Sequence, residues 1–445
     1  MTVLRDVAAA DVSASRWIRT DIRIEDGKIS EIGPGLAANG GEIVECEGRF
    51  AIPGMIDGHI HLHASGHIGP TTREPVPSGE LADGADTDDL ISRLHSFLYS
   101  GVTGIYDAGN DPSVIMSLRQ AERAAQITAP RIFCTGSLLT CPGGHGSGSG
   151  IATHVRSLPA DSQVLADFLA AQPDLVKITY DEHNWGIRPL IPILSAETLR
   201  QIIQFCHANM RRVTVHVSNE FRAREAVEAG ADALAHPVIQ SPVTDEFCWL
   251  LAAKRIPVVS TLAIGERYPR LADHPDYVDE PLYAYCLTEA EREELRGAES
   301  TRQKENRWAD WMRVMTPVAQ ENLRKLNAAG GTVVTGTDLS LGPEYHRELE
   351  LLQDAGIAPW DVLRCATVNA ADYLGKTGEL GRIAAGHAAD LVLLEADPAA
   401  DIRNVAAIWK VYKAGEPVDR AALNLPGARP APQPEVSSSV VSQSR

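Results

Sequence analysis

Apolar and polar residues alternate at both ends of this chain and gather into short solid blocks through its middle. Near the start, Asp21-Ile22-Arg23-Ile24 alternates, Asp26-Gly27 supplies a turn, and Lys28-Ile29-Ser30-Glu31-Ile32 alternates again. Period two around an Asp-Gly pair predicts a β-hairpin, and Glu42 to Cys46 reads as a third strand. The far end has the same character: Ala389–Leu394 and Ile408–Lys413 read as strands, with Ala414-Gly415-Glu416 as a turn. Neither end has enough strands to fold alone. The expectation is one small β-sandwich built from both, residues 1–52 and 381–425, with the rest of the chain inserted between them.

The middle, residues 53–380, alternates apolar strands with helix-period segments. Eight strands are predicted: Met55–His61, Val102–Asp107, Arg131–Thr135, Leu175–Thr179, Arg212–Val217, Ala231–His236, Ile256–Leu262 and Thr332–Asp338. Ala196–Ala208, Ala223–Ala229 and Trp360–Leu374 are among the helical stretches between them. Strand-helix alternation gives a parallel sheet covered by helices, and eight such units predict an α/β fold of the (β/α)8 barrel type. Its active site is expected at the C-terminal ends of the strands. Two connections are long, Ala64 to Asp89 and Ala263 to Ala329, and loops on that face usually set substrate choice. Residues 426–445, rich in Pro and Ser, read as a disordered tail.

Composition narrows the class. Apolar residues make up 44% of 445, enough for a large core. No apolar run reaches bilayer length, and Met1-Thr2-Val3-Leu4-Arg5-Asp6 lacks the basic start and apolar core of a signal peptide, so a cytoplasmic protein is expected. With 41 basic and 59 acidic residues the net charge is −18; nucleic acid and anionic membranes, which need a basic footprint, are disfavoured as partners. Seven scattered cysteines with no Cys-x-x-Cys pair fit reduced, buried thiols.

The chemistry lies at the strand ends. His59 and His61 are two residues apart, so on a strand both face the same side. Lys177, His216, His236 and Asp338 each close a further apolar strand. Four imidazoles and a carboxylate suit zinc or a similar divalent ion. An ammonium beside metal cations is repelled and desolvated, which lowers its pKa; a neutral lysine can take up carbon dioxide as a carbamate and so become a bridging anion. Singly, a strand-end histidine reads as structural, the lysine as half of a salt bridge and Asp338 as a helix cap. Together, at inward ends of strands 1, 4, 5, 6 and 8 in barrel order, they read as a metal site.

These residues stand in motifs that resemble the amidohydrolase superfamily. Glu25-Asp26-Gly27-Lys28-Ile29-Ser30-Glu31-Ile32-Gly33 resembles its N-terminal signature, Pro53-Gly54-Met55-Ile56-Asp57-Gly58-His59-Ile60-His61 its first-strand motif, and Gly381 to Leu391 its returning C-terminal segment. Val176-Lys177-Ile178, Cys141-Pro142-Gly143-Gly144-His145-Gly146 and His346-Arg347-Glu348-Leu349 resemble the prolidase-like and imidazolonepropionase-like group with a carbamylated lysine. The resemblance implies two divalent ions, zinc first and manganese, cobalt or iron as alternatives, and carbon dioxide held as the Lys177 carbamate. His59, His61 and Asp338 would hold one ion, His216 and His236 the other, with Lys177 bridging. Asp338 would relay the proton from a metal-bound hydroxide, His145 would steady the oxyanion or substrate carbonyl, and Tyr180 would meet the substrate at the pocket mouth. His63, His67 and His183 would line the pocket.

The implied reaction is hydrolysis of an amide-type C–N bond in a small molecule: a dipeptide, N-acyl amino acid, aryl amide, urea or carbamate. Asp181-Glu182-His183-Asn184-Trp185-Gly186 departs from the glycine-rich segment usual at that point in prolidase-like members, which leaves the substrate open. The alternatives are a mononuclear deaminase or cyclic-amide hydrolase, and a non-catalytic binding protein on the same fold. A homo-oligomer is expected.

Overall fold

The computed structural model describes residues 1–62, 84–148, 150–183 and 190–427. His63, His67, most of the Ala64–Asp89 connection and residues 428–445 of the expected tail lie outside the described residues.

Strands from both chain ends join one eight-stranded sheet. From the start come β1 (Thr2–Asp11), β2 (Arg16–Glu25), β3 (Lys28–Gly33), β4 (Glu42–Glu45) and β5 (Phe50–Pro53). The predicted hairpin is β2–β3, antiparallel, with Glu25 opposite Lys28. The sheet forks at β1: its residues 2–5 pair with β4, and Ala8 and Ala9 pair with β5. Between them the register shifts and Asp6 takes φ +56°, a bulge that turns the strand toward its second partner. Leu4, Val7, Ile22, Ile29, Leu391 and Leu393 fill the core this sheet encloses.

The barrel strands follow: β6 (Met55–Ile60), β7 (Val102–Asp107), β8 (Arg131–Cys134), then β9 (Leu138–Thr140) and β10 (Ala152–His154), then β11 (Val176–Thr179), β12 (Val213–His216), β13 (Ala233–Leu234), β14 (Val258–Val259) and β15 (Val333–Val334). All eight predicted strands are present, in parallel order β6-β7-β8 and β11-β12-β13-β14-β15. Backbone bonds close the ring on both sides. Asp174 N donates to Cys134 O at 2.9 Å, and Gly58 N donates to Thr335 O at 2.8 Å. The last three strands are only two residues long, and single backbone bonds continue past them, from Ala235 N to Val215 O at 2.9 Å and from Ser260 N to Val334 O at 2.8 Å. β9 and β10 were not expected. They pair in parallel beside β11 and hold the glycine-rich loop 141–148 against the barrel rim.

The chain returns through β16 (Leu391–Leu394), β17 (Ile408–Lys413) and β18 (Glu416–Pro417), with β16 antiparallel to β5. Ile56, Tyr106, Phe133, Val259, Val334 and Tyr373 pack as one cluster inside and below the barrel, so the interior is filled and only its upper end is polar. Two glycines let the first and last barrel strands meet. A Cβ on Gly58 would stand 2.9 Å from Thr335 O, and one on Gly336 would stand 2.5 Å from Val259 Cγ1 and 2.9 Å from His59 N. All seven cysteines are buried and free. Among the described residues, no helix is long and apolar enough to cross a membrane.

Candidate active site

Of the eight residues given a ligand, catalytic or substrate-binding role from the sequence, seven meet at the barrel mouth. His59 is fully buried and its Nε2 lies 3.1 Å from Lys177 Nζ. Asp338 Oδ1 lies 3.6 Å from His59 Nε2 and 3.4 Å from His61 Nε2. The His236 ring is 4.5 Å from that of His59 and 4.4 Å from that of His216, centroid to centroid. His145, carried in by the glycine-rich loop, stacks on His216 at 4.2 Å.

Three of the candidate histidines are oriented from behind. His59 Nδ1 meets Ala235 O at 3.0 Å, His61 Nδ1 meets Gly109 O at 2.7 Å, and His236 Nδ1 meets Thr261 Oγ1 at 2.9 Å. For the two carbonyl contacts Nδ1 must carry the hydrogen, which leaves the Nε2 lone pair for an ion. Burial drives the titration in the same direction. It holds His59, His236 and His145 well below the ordinary imidazole range and lowers His216, so these rings are neutral donors at physiological pH.

Lys177 and Asp338 face each other electrostatically. Burial pulls the ammonium of Lys177 down, against the attraction of Asp338 and Asp107. Burial pushes the Asp338 carboxyl up, against the attraction of Lys177. Asp338 has φ +57°, a left-handed conformation that costs a non-glycine residue of order 1 kcal/mol and clusters at functional sites. Its own N–H donates to His59 O at 2.7 Å, which pins it there.

Three buried carboxylates hold the frame. Asp57 accepts from the N–H groups of His59 and Thr337, both at 3.1 Å, and from Thr337 Oγ1 at 2.8 Å. It thereby ties the strand carrying His59 to the segment carrying Asp338. Asp107 accepts from Leu62 N at 2.9 Å and Gly109 N at 3.0 Å, fixing the residues on either side of His61. Glu348 accepts from Ser260 Oγ, from Leu262 N at 3.1 Å and from Ala263 N at 2.6 Å. It caps the helix Leu262–Asp273 from outside. Thr261, the residue at that helix's start, has φ +36° and makes no cap bond with its own hydroxyl, which instead meets His236.

The donor set fits divalent ions. Zinc bonds of about 2.0–2.2 Å in a tetrahedron put neighbouring donors about 3.3–3.6 Å apart. The 3.4 Å and 3.6 Å separations around Asp338 Oδ1 match that edge. His59, His61 and Asp338 form one group whose ligand atoms lie within 4.8 Å of one another, and His145, Asp181 and His216 form a second.

Tyr180, expected at the pocket mouth, is turned away from it. One residue past β11, it falls on the face opposite Lys177; it is 1% exposed and its hydroxyl donates to Glu225 Oε2 at 2.9 Å on the helix Glu220–Ala229. His183, expected as pocket lining, donates its backbone N–H to Asp181 Oδ1 at 2.9 Å, and its Nε2 is 3.9 Å from Glu182 Oε1. The residue that sequence reading missed is Asp181. It shares the inner face with Lys177 and Thr179 by the same period of two that linked His59 to His61.

The sequence profile of the amidohydrolase family matches residues 50–418. An adenine deaminase from Bacillus licheniformis is 32% identical over 105 residues, a stretch that is 23% of this chain and 17% of that enzyme. The chain superposes on a prolidase solved with N-methylphosphonate-L-proline at a TM-score of 0.74 and 23% identity, covering 94% of this chain and 99% of the other. It superposes on phenylurea hydrolase B at 0.74 and 20%, covering 96% and 100%. Those two likenesses speak for the fold, and the profile speaks for descent. The chain belongs to the amidohydrolase family and is a hydrolase acting on carbon–nitrogen bonds.

Proposed function

We propose that the protein hydrolyses an amide-type C–N bond of a small molecule, a dipeptide, N-acyl amino acid, aryl amide, urea or carbamate, at two divalent ions. The observation that carries this is Lys177. A lysine sits 3.1 Å from the Nε2 of a buried histidine, among three further imidazoles, where burial favours its neutral amine. A neutral amine is the form that takes up carbon dioxide, and the carbamate offers two oxygens to two ions. His59, His61 and Asp338 would hold the first ion, His216 and His236 the second. Zinc suits this nitrogen-rich set, and manganese, cobalt or iron can replace it.

Ions bound there supply a water of lowered pKa and polarise the scissile carbonyl. The chain's own residues do the rest. Asp338, whose carboxyl burial holds up toward neutrality, accepts the proton of the attacking water and returns it to the leaving nitrogen. His145, neutral and half-buried, has one N–H to offer the carbonyl oxygen as charge develops on it. The prolidase and the phenylurea hydrolase among the structural relatives support amide and urea substrates.

A mononuclear deaminase or cyclic-amide hydrolase is the second reading. His59, His61 and Asp338 form a complete three-donor group without help from Lys177, and the adenine deaminase likeness favours it. The test is a substrate panel on purified protein: aryl amides, dipeptides, ureas and carbamates beside aminopurines and cyclic amides. Hydrolysis of the first set, abolished by a chelator and restored by zinc or manganese with bicarbonate, supports the proposal. Ammonia release from aminopurines alone overturns it.

A further inference from the structure

Lys177 and Thr179 alternate onto one face of the strand Val176–Thr179, and Asp181 keeps the same period two residues past its end. We propose that Asp181 is a ligand of the second divalent ion, sharing that ion with His216. The inference rests on the two-ion reading above and adds a carboxylate to it.

The Asp181 side chain is fully enclosed. Its two oxygens have separate tasks. Oδ1 accepts from Ser218 Oγ at 2.7 Å and from His183 N at 2.9 Å, which locks the rotamer. Oδ2 is thereby aimed at His216 Nε2, 3.3 Å away. That is long for a charge-assisted hydrogen bond, which runs about 2.7–2.9 Å, and it equals the edge between two donors on one tetrahedral ion. The same spacing, 3.4 Å, separates His61 and Asp338 at the first group. A donor atom of His145 stands within 4.8 Å of both Asp181 and His216. The Nδ1 of His145 is buried with no hydrogen-bond partner, so one nitrogen beside this pair is left for an ion or its water to satisfy. Charge agrees as well. Asp338, Asp181, a carbamate and a hydroxide carry four negative charges, which balance two divalent cations.

The rival is that Asp181 only orients His216 by a hydrogen bond, as carboxylates behind metal-bound histidines do. A sulfur in its place separates the two. In cobalt(II)-loaded Asp181→Cys protein, a ligand thiolate gives a sulfur-to-cobalt charge-transfer band, which a sulfur outside the coordination sphere does not. The proposal expects that band, and expects Asp181→Asn to retain about one ion per chain where the unaltered protein retains about two. Ser218→Ala, which removes one hydrogen bond to Oδ1 and no donor, should keep two. A folded Asp181→Cys protein that binds two cobalt ions without the band, with Asp181→Asn also binding two, overturns the proposal. Unaltered protein that binds one ion or none overturns the two-ion reading itself, so the two failures are distinct.

Discussion

Glu348 allows a stability experiment whose sign changes with pH. Its carboxyl is fully buried, and burial, with Glu266 adding to it, raises its pKa from 4.5 to about 7. A group whose folded pKa is raised contributes stability that is complete below the unfolded pKa and is lost as pH rises through the folded one. The window is therefore about pH 4.5 to 7, and a shift of about 2.5 units at about 1.36 kcal/mol each is worth about 3 kcal/mol. Glu348→Gln removes that titration. It also sets an amide NH2 against one of the donors, most directly Ala263 N, now 2.6 Å from Oε2, and an orphaned buried N–H costs about 1–3 kcal/mol. The variant should be about 1–3 kcal/mol less stable than the parent at pH 5, and equal or more stable at pH 8.5. The assay is urea unfolding of both metal-free proteins across that range, read as the difference between them. A difference that is flat with pH, or that grows as pH rises, would refute the placement of a raised carboxyl at this position.

Lys177→Ala should leave about one ion or fewer per chain and lower turnover by about 10³-fold or more, with partial rescue by added short-chain carboxylic acids that replace the carbamate oxygens; unchanged metal content and activity would rule out bridging. Tyr180→Phe should leave kcat/KM within about 3-fold of the parent, because the hydroxyl meets Glu225 and not the pocket; it should cost about 0.5–1.5 kcal/mol of stability by thermal melting, and a large rise in KM would restore the tyrosine to the site. Gly336→Ala should destabilise the protein by about 1–3 kcal/mol, since its Cβ would fall 2.9 Å from His59 N. Moving Asp338 off His59 should also cost about 10²-fold in rate, and wild-type kinetics would show that the strands tolerate the separation.

The sequence revealed the parts of the site that follow local periods. His59 with His61, and the strand-end placement of Lys177, His216, His236 and Asp338, needed only period two and the count of strands. Asp181 obeys the same period but stands in no motif of its own, beside an aromatic that resembles a substrate contact; alternation alone puts Asp181 on the inner face and Tyr180 on the outer one. The pairing of β9 with β10 is hidden in a glycine-rich stretch that reads locally as loop, and β9 pairs in turn with β11 through Leu139 and Ile178. Barrel strands of two residues such as β13 were read as six or seven, since apolar blocks mark burial and not the extent of the ladder. Asp57, Asp107 and Glu348 act through partners distant in sequence, Glu348 reaching Ser260 across 88 residues, and no local pattern announces such bonds.

The measurement that bears most directly on the two-ion site is the metal content of protein purified without added metal or chelator, by elemental analysis against protein concentration. Two divalent ions per chain, falling to about one in Lys177→Ala, is the predicted result. A single ion per chain that is unaffected by Lys177→Ala would contradict it.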